Sequence, residues 1–148
     1  MTESPDNEAP SLPAFPQIPA GTNVVSVGLD LESVSRVRAA IERHGNAFLE
    51  KVFSPEERAL CRSRGAHAWE SFAARWAAKE AFSKALGTGV GAEVGLTDFS
   101  VLCGERGEPR AVFSARGRAA LENAGAADAL VSLTHTAEFA EAVVILIR

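Results

Sequence analysis

An α+β domain is the fold class this chain predicts, and three observations carry the prediction. The first is size: 148 residues with 47% apolar side chains make one domain with a proper core. The second is a set of short segments rich in Val and Ile towards both ends of the chain, the pattern of strands. The third is a middle built from strong helix formers and bounded by cap and stop signals. Taken in order, the segments read β-α-α-α-β-β-α-β-β.

Residues 1–22 stand apart. Five of the seven prolines (Pro5, Pro10, Pro13, Pro16, Pro19) lie there with Glu3, Asp6 and Glu8. Such a stretch buries too little apolar surface to offset its ordering entropy, so a flexible tail is expected, with the folded domain over 23–148. The first strand runs from Asn23 to Leu31. Val25, Val27, Leu29 and Leu31 alternate onto one face; Val24, Ser26, Gly28 and Asp30 share the other. A helix follows from Ser33 to His44 and stops at Gly45. Its apolar side is Val34, Val37 and Ile41, with Arg36 and Arg43 nearly opposite. Ser54-Pro55-Glu56-Glu57 places a serine at a cap, proline in the first turn and glutamate at the capping-box position, starting a second helix. The third and longest helix spans Glu70 to Leu86 and stops at Gly87. A hairpin of Asp98–Cys103 and Pro109–Phe113 turns through Gly104-Glu105-Arg106-Gly107. Ser114 to Asn123 suits a helix, and Leu130–His135 and Phe139–Ile147 are the closing strands.

Bulk properties exclude several function classes. The net charge is −4, and the tail holds three of the negative charges, so nucleic acid and acidic membrane surfaces are not the expected partners. No apolar run reaches membrane-spanning length, and no secretory signal pattern opens the chain. Cys61 and Cys103 form neither a disulfide framework nor metal-type spacing. A soluble cytoplasmic protein is expected.

Chemistry concentrates on the long helix. Phe72, Ala73, Trp76 and Ala77 form an apolar stripe, and Glu80 continues it. A buried carboxylate needs a cation, a metal or a proton. Lys84 lies one turn on and offers a plain i,i+4 ion pair. Asp30 on the first strand adds a second carboxylate, and separated carboxylates meeting at one point suit Mg²⁺, which takes few protein ligands. Arg75 and Lys79 share one turn and, with Lys84, supply charge for several phosphates. His135 sits between the last two strands. Alone, Asp30 is more often a strand-end or capping residue, and His135 more often a structural hydrogen-bonder. Glu57 is explained by its capping box. The Gly87–Gly91 loop offers backbone N–H groups to a phosphate, but follows a helix C-terminus whose dipole repels anions.

Four blocks share an order: Gly28-Leu29-Asp30-Leu31; Arg75 through Gly89, with Lys79-Glu80-Ala81 at its centre; Gly107-Glu108-Pro109-Arg110; and Val131-Ser132-Leu133-Thr134-His135-Thr136. They resemble the signature blocks of the small bacterial holo-acyl-carrier-protein synthases, the 4′-phosphopantetheinyl transferases, over about Val24 to Leu146. The resemblance implies transfer of 4′-phosphopantetheine from coenzyme A to a serine of apo acyl carrier protein, with release of 3′,5′-ADP and a need for Mg²⁺. By position, Asp30 and Glu80 resemble the metal-binding carboxylates, and Lys84 the lysine at the pyrophosphate. Arg75 and His135 resemble residues around the adenosine and its 3′-phosphate, and Pro109 the proline near the adenine. Trp76 stands where the family often has Phe, and Phe139 where it often has Tyr. The base that takes the serine proton stays open between a metal-held water and Glu80.

An acidic carrier protein calls for a basic docking face, for which Arg36 and Arg43 are the candidates, with Arg38 and Lys51 as additions. The resemblance further implies a homotrimer with coenzyme A between subunits, His135 and Pro109 serving a neighbour's site. The expected process is fatty acid biosynthesis. Alternatives are the same chemistry on polyketide or peptide synthetase carrier domains, a non-catalytic coenzyme A or carrier-binding module, and a Mg²⁺-dependent phosphohydrolase.

Overall fold

The structure is a computed structural model and describes residues 21–89 and 94–148. The expected tail, apart from Gly21 and Thr22, and Val90 and Gly91 of the glycine-rich loop lie outside the described residues. The order is β1 (Val24–Ser33), α1 (Val34–Val52), α2 (Pro55–Arg62), α3 (Ala68–Leu86), β2 (Phe99–Cys103), β3 (Pro109–Phe113), α4 (Ala115–Asn123), β4 (Asp128–His135) and β5 (Phe139–Ile147). Short 3-10 turns at Gly65–His67 and Leu96–Asp98 lead into α3 and β2. The class and element order match the expectation, and four boundaries move by two residues or more.

The largest difference is in α1. Gly45 does interrupt the helix (φ 61°, ψ −144°), yet the chain turns helical again and runs to Val52. Only glycine takes that φ cheaply, so the residue acts as a kink here and not as a stop. The continuation forms because Leu49 and Val52 bury against the same core as Val34, Val37 and Ile41. The other three are small: β1 runs on to Ser33, α3 begins at Ala68, and β4 at Asp128.

Two sheets flank the long helix. β1, β5 and β4 form an antiparallel three-stranded sheet in that order, and β2 pairs with β3 in a hairpin. The register sets Asp30 opposite Ala142 and His135 opposite Ala140. α3 is the central element. Between Ser71 and Ala85 only Trp76, Glu80 and Lys84 escape full burial, a line at i, i+4 and i+8. Glu80 therefore sits on the least buried edge of the helix, not in the middle of an apolar stripe. One side of α3 (Ala77, Ala81, Phe82) packs on Val144, Leu146, Val101 and Leu121. The other (Phe72, Ala73) joins Val37, Ile41 and Phe53. Phe82 stacks on Phe99 with centroids 4.5 Å apart, and Phe113 completes the cluster.

The contact of β1 with α3 positions the site. It is the polar face of β1 that turns to the helix, while Val27, Leu29 and Leu31 stay exposed. Gly28 explains the choice: a Cβ there would lie 1.8 Å from the Ala81 carbonyl oxygen, so strand and helix backbones approach as only glycine permits. Ser26 Oγ donates to the Ala85 carbonyl at 2.6 Å, satisfying itself in the same seam. Asp30, next along this face, is thereby carried to the flank of α3.

Candidate active site

β1 ends by feeding α1 through Ser33, whose Oγ accepts from the Arg36 N–H at 3.3 Å. That junction leaves Asp30 and Glu32 on one strand face, two residues apart, with Arg36 just beyond. α3 supplies Glu80 and Lys84. Lys84 Nζ donates to Asp30 Oδ1 (2.9 Å) and to the Leu29 carbonyl (2.9 Å), so the ion pair runs from helix to strand, not to Glu80 within the helix. Asp30 Oδ2 is buried and has no hydrogen-bond partner.

Electrostatics mark the same place. Burial raises the Glu32 carboxyl to about 7, helped by a hydrogen bond and the charge of Asp30 and by the charge of Glu80; Trp76 pulls the other way. Glu80 is raised by burial and by Asp30, and lowered by Lys84. Three carboxylates thus crowd together, and apart from a proton shared between Glu32 and Asp30 the buried Asp30 oxygen lacks a donor. Among the described residues, no three His, Cys, Asp or Glu side chains close into a ready metal cage. Two hard oxygen donors with room for water and phosphate oxygens suit Mg²⁺, so the residues fit that ion. A cavity of about 360 Å³ opens beside them, bounded by Glu32, Arg36, Val37, Phe48, Trp76 and Glu80. Trp76 stacks on Phe48 at 5.5 Å as one wall.

A second cavity, about 290 Å³, gathers Arg75, Pro109 and His135 with Arg64, Ser71 and Cys103. Arg75 is 5% exposed. Its Nε donates to the Val101 carbonyl at 3.1 Å and its Nη1 to the Ser71 carbonyl at 3.5 Å. A wider hollow of about 770 Å³ lies at the β2–β3 tip among Gly104, Glu105, Arg106, Glu108 and Arg110. There Glu108 already takes Arg110 at 3.0 Å and the Arg106 N–H at 2.9 Å, and no cluster of like charges is left to balance.

Lys79, expected at the phosphates, is a correction. Its Nζ donates to Glu57 Oε1 (2.6 Å), the Leu96 carbonyl (2.8 Å) and the Phe99 carbonyl (2.5 Å), which uses all three hydrogens. Glu57 is equally committed, capping α2 through the Ser54 N–H and accepting from the Val101 N–H at 3.0 Å. Arg38, offered as a docking addition, holds Glu42 at 2.9 Å and covers Trp69. Glu32 and Arg64 are the residues sequence reasoning missed. The period-2 offset from Asp30 was a signal for Glu32; nothing local pointed to Arg64.

Comparison with known proteins defines the class. Residues 26–140 match the model of the 4′-phosphopantetheinyl transferase superfamily, and the chain belongs to that family. More particularly, it is 40% identical over 116 residues to the holo-[acyl-carrier-protein] synthase of Ruminiclostridium cellulolyticum, covering 78% of this chain and 87% of the relative. To that of Koribacter versatilis it is 39% identical, covering 83% and 98%. Among solved structures, the Helicobacter pylori holo-[acyl-carrier-protein] synthase in complex with coenzyme A superposes with a TM-score of 0.72 at 30% identity, covering 82% of this chain and 99% of that one. The Bacillus anthracis synthase in complex with coenzyme A (3′,5′-ADP) gives 0.70 at 31%, covering 85% and 98%.

Proposed function

We propose that this protein transfers the 4′-phosphopantetheine group of coenzyme A to a serine hydroxyl of an apo acyl carrier protein, releasing 3′,5′-ADP, in cytoplasmic fatty acid biosynthesis. The observation that carries the site assignment is the crowd of carboxylates with the unpartnered Asp30 Oδ2 in its midst. Asp30 and Glu80 would hold Mg²⁺. When bound, the ion offsets the charge of a pyrophosphate under attack, where the demand is electrostatic. Lys84, tied to Asp30 and still half exposed, adds a positive charge at that edge. Arg75, Pro109 and His135 line a separate cavity suited to a nucleotide.

Arg36 and Arg43 are exposed and form no ion pair among the described residues, as a face for an acidic partner requires. Arg36 also borders the cavity beside Glu80, so a carrier docked there brings its serine to the carboxylates. The apolar outer face of β1 and β4, with Val27, Leu29, Leu31 and Leu130 each more than half exposed, supports assembly as a homotrimer. Among the described residues no helix is long and apolar enough to cross a membrane.

Intact-protein mass spectrometry of apo acyl carrier protein after incubation with this protein, coenzyme A and Mg²⁺ tests the assignment. A phosphopantetheine adduct that disappears with EDTA and in Glu80→Gln is expected. No adduct, with coenzyme A still bound, would replace transfer by a binding role.

A further inference from the structure

α1 turns a basic face outward that nothing else in the described fold answers. Arg36 and Arg43 are exposed and about two helical turns apart, which sets them on one side of α1, about 10 Å from each other. Among the described residues neither forms an ion pair, while their neighbour Arg38 is taken by Glu42. A counter-charge within the same chain lies in residues 1–20, outside the described residues. Glu3, Asp6 and Glu8 share its first part, and no charged residue follows between Ala9 and Thr22. In that neutral stretch Pro10, Pro13, Pro16 and Pro19 recur at every third position, the period of a polyproline II helix. The repeat predicts a semi-rigid spacer between an acidic head and the start of β1.

The head can reach that face. Thr22 precedes β1, and the length of the strand plus the first turn of α1 puts Arg36 at most about 40 Å from it. Arg43 is at most about 10 Å further. Measured from Thr22, a polyproline II chain carries Asp6 about 50 Å and Glu3 about 60 Å. Glu3 and Asp6, three residues apart, fall on one side of such a helix about 9 Å from each other, close to the spacing of the two arginines. We infer that residues 3–8 strap onto the exposed face of α1, Asp6 at Arg36 and Glu3 at Arg43, and compete there with an acidic carrier protein. The competition rests on the docking reading given to Arg36 and Arg43; the contact itself does not. Arg36 borders the cavity beside Glu80, so the strap sits at the mouth of the carboxylate site. Surface ion pairs are individually weak, so the strap tunes access and does not block it.

Nitrogen-15 NMR of the full chain reads the strap with no carrier protein present. Glu3→Gln, Asp6→Asn and Glu8→Gln combined should move the Arg36 and Arg43 Nε–H resonances at about 20 mM salt. The difference from wild type should vanish at about 0.5 M, where exposed charges are screened. Identical low-salt spectra, or changes confined to residues away from these arginines, would overturn the strap. With apo acyl carrier protein at low salt, the triple variant should show a KM roughly two- to threefold lower and an unchanged kcat. In an Arg36→Gln, Arg43→Gln background, neutralising the tail should leave KM where it is. A KM no lower than that of the wild type would overturn the competition. If carrier protein stays unmodified while the spectra differ as expected, the transfer reaction fails and the strap stands.

Discussion

Lys79 and Glu80 are neighbours in sequence, about 100° apart round α3, and their surroundings could hardly differ more. Lys79 is 2% exposed, its three hydrogens taken by Glu57 and two backbone carbonyls. Burial lowers its pKa, and the Glu57 charge and hydrogen bond work against that drop. Every polar atom in that network has its partner, so it staples α2, α3 and β2 and offers nothing to a ligand. Glu80 is half buried among Asp30 and Glu32, raised by burial and by repulsion, beside an oxygen with no donor. A satisfied buried charge is architecture; an unsatisfied cluster is waiting for a ligand.

Removing one partner from each region breaks the comparison in opposite directions. Lys79→Met leaves Glu57 charged in the core and should cost about 3–5 kcal/mol of stability by urea denaturation. Glu57→Gln added to it should restore a large part, and a double variant no more stable than the single would contradict the staple. Glu80→Gln and Asp30→Asn should instead lower kcat at least ~100-fold while the denaturation midpoint stays or rises, because repulsion is relieved. Unchanged Mg²⁺ dependence in either variant would count against the metal assignment.

Gly28→Ala tests the seam that brings the carboxylates together. Its methyl meets the Ala81 carbonyl, so a loss of about 1–3 kcal/mol is expected with weaker Mg²⁺ binding by calorimetry. Full stability and full affinity would show that the close approach is dispensable. The smallest effect is one of pH. Glu32 titrates near 7 in the folded metal-free protein against an ordinary 4.5, so the protonated form favours the fold. Its contribution is complete below about pH 4.5 and is lost as pH rises through about 7. The melting temperature of wild type minus that of Glu32→Gln should fall across that window, and saturating Mg²⁺ should flatten the curve. A flat difference without Mg²⁺ would place Glu32 outside the cluster.

The sequence by itself determined the α+β class and the order of nine elements, and it singled out Asp30, Glu80 and Lys84, which the fold sets side by side, and Arg75, Pro109 and His135, which it gathers round one cavity. These were legible because hydrophobic period, caps and turn residues act over a few positions, and because the family blocks are contiguous. Tertiary structure alone decided which face of β1 meets α3, that Lys79 turns into the core, and that Glu32 and Arg64 join the sites. Each of those outcomes depends on a partner far along the chain: Ala81 against Gly28, Glu57 against Lys79, Cys103 against Arg64. Local periodicity assigns a residue to a face, but only packing decides whether that face meets a ligand, a counter-charge or water.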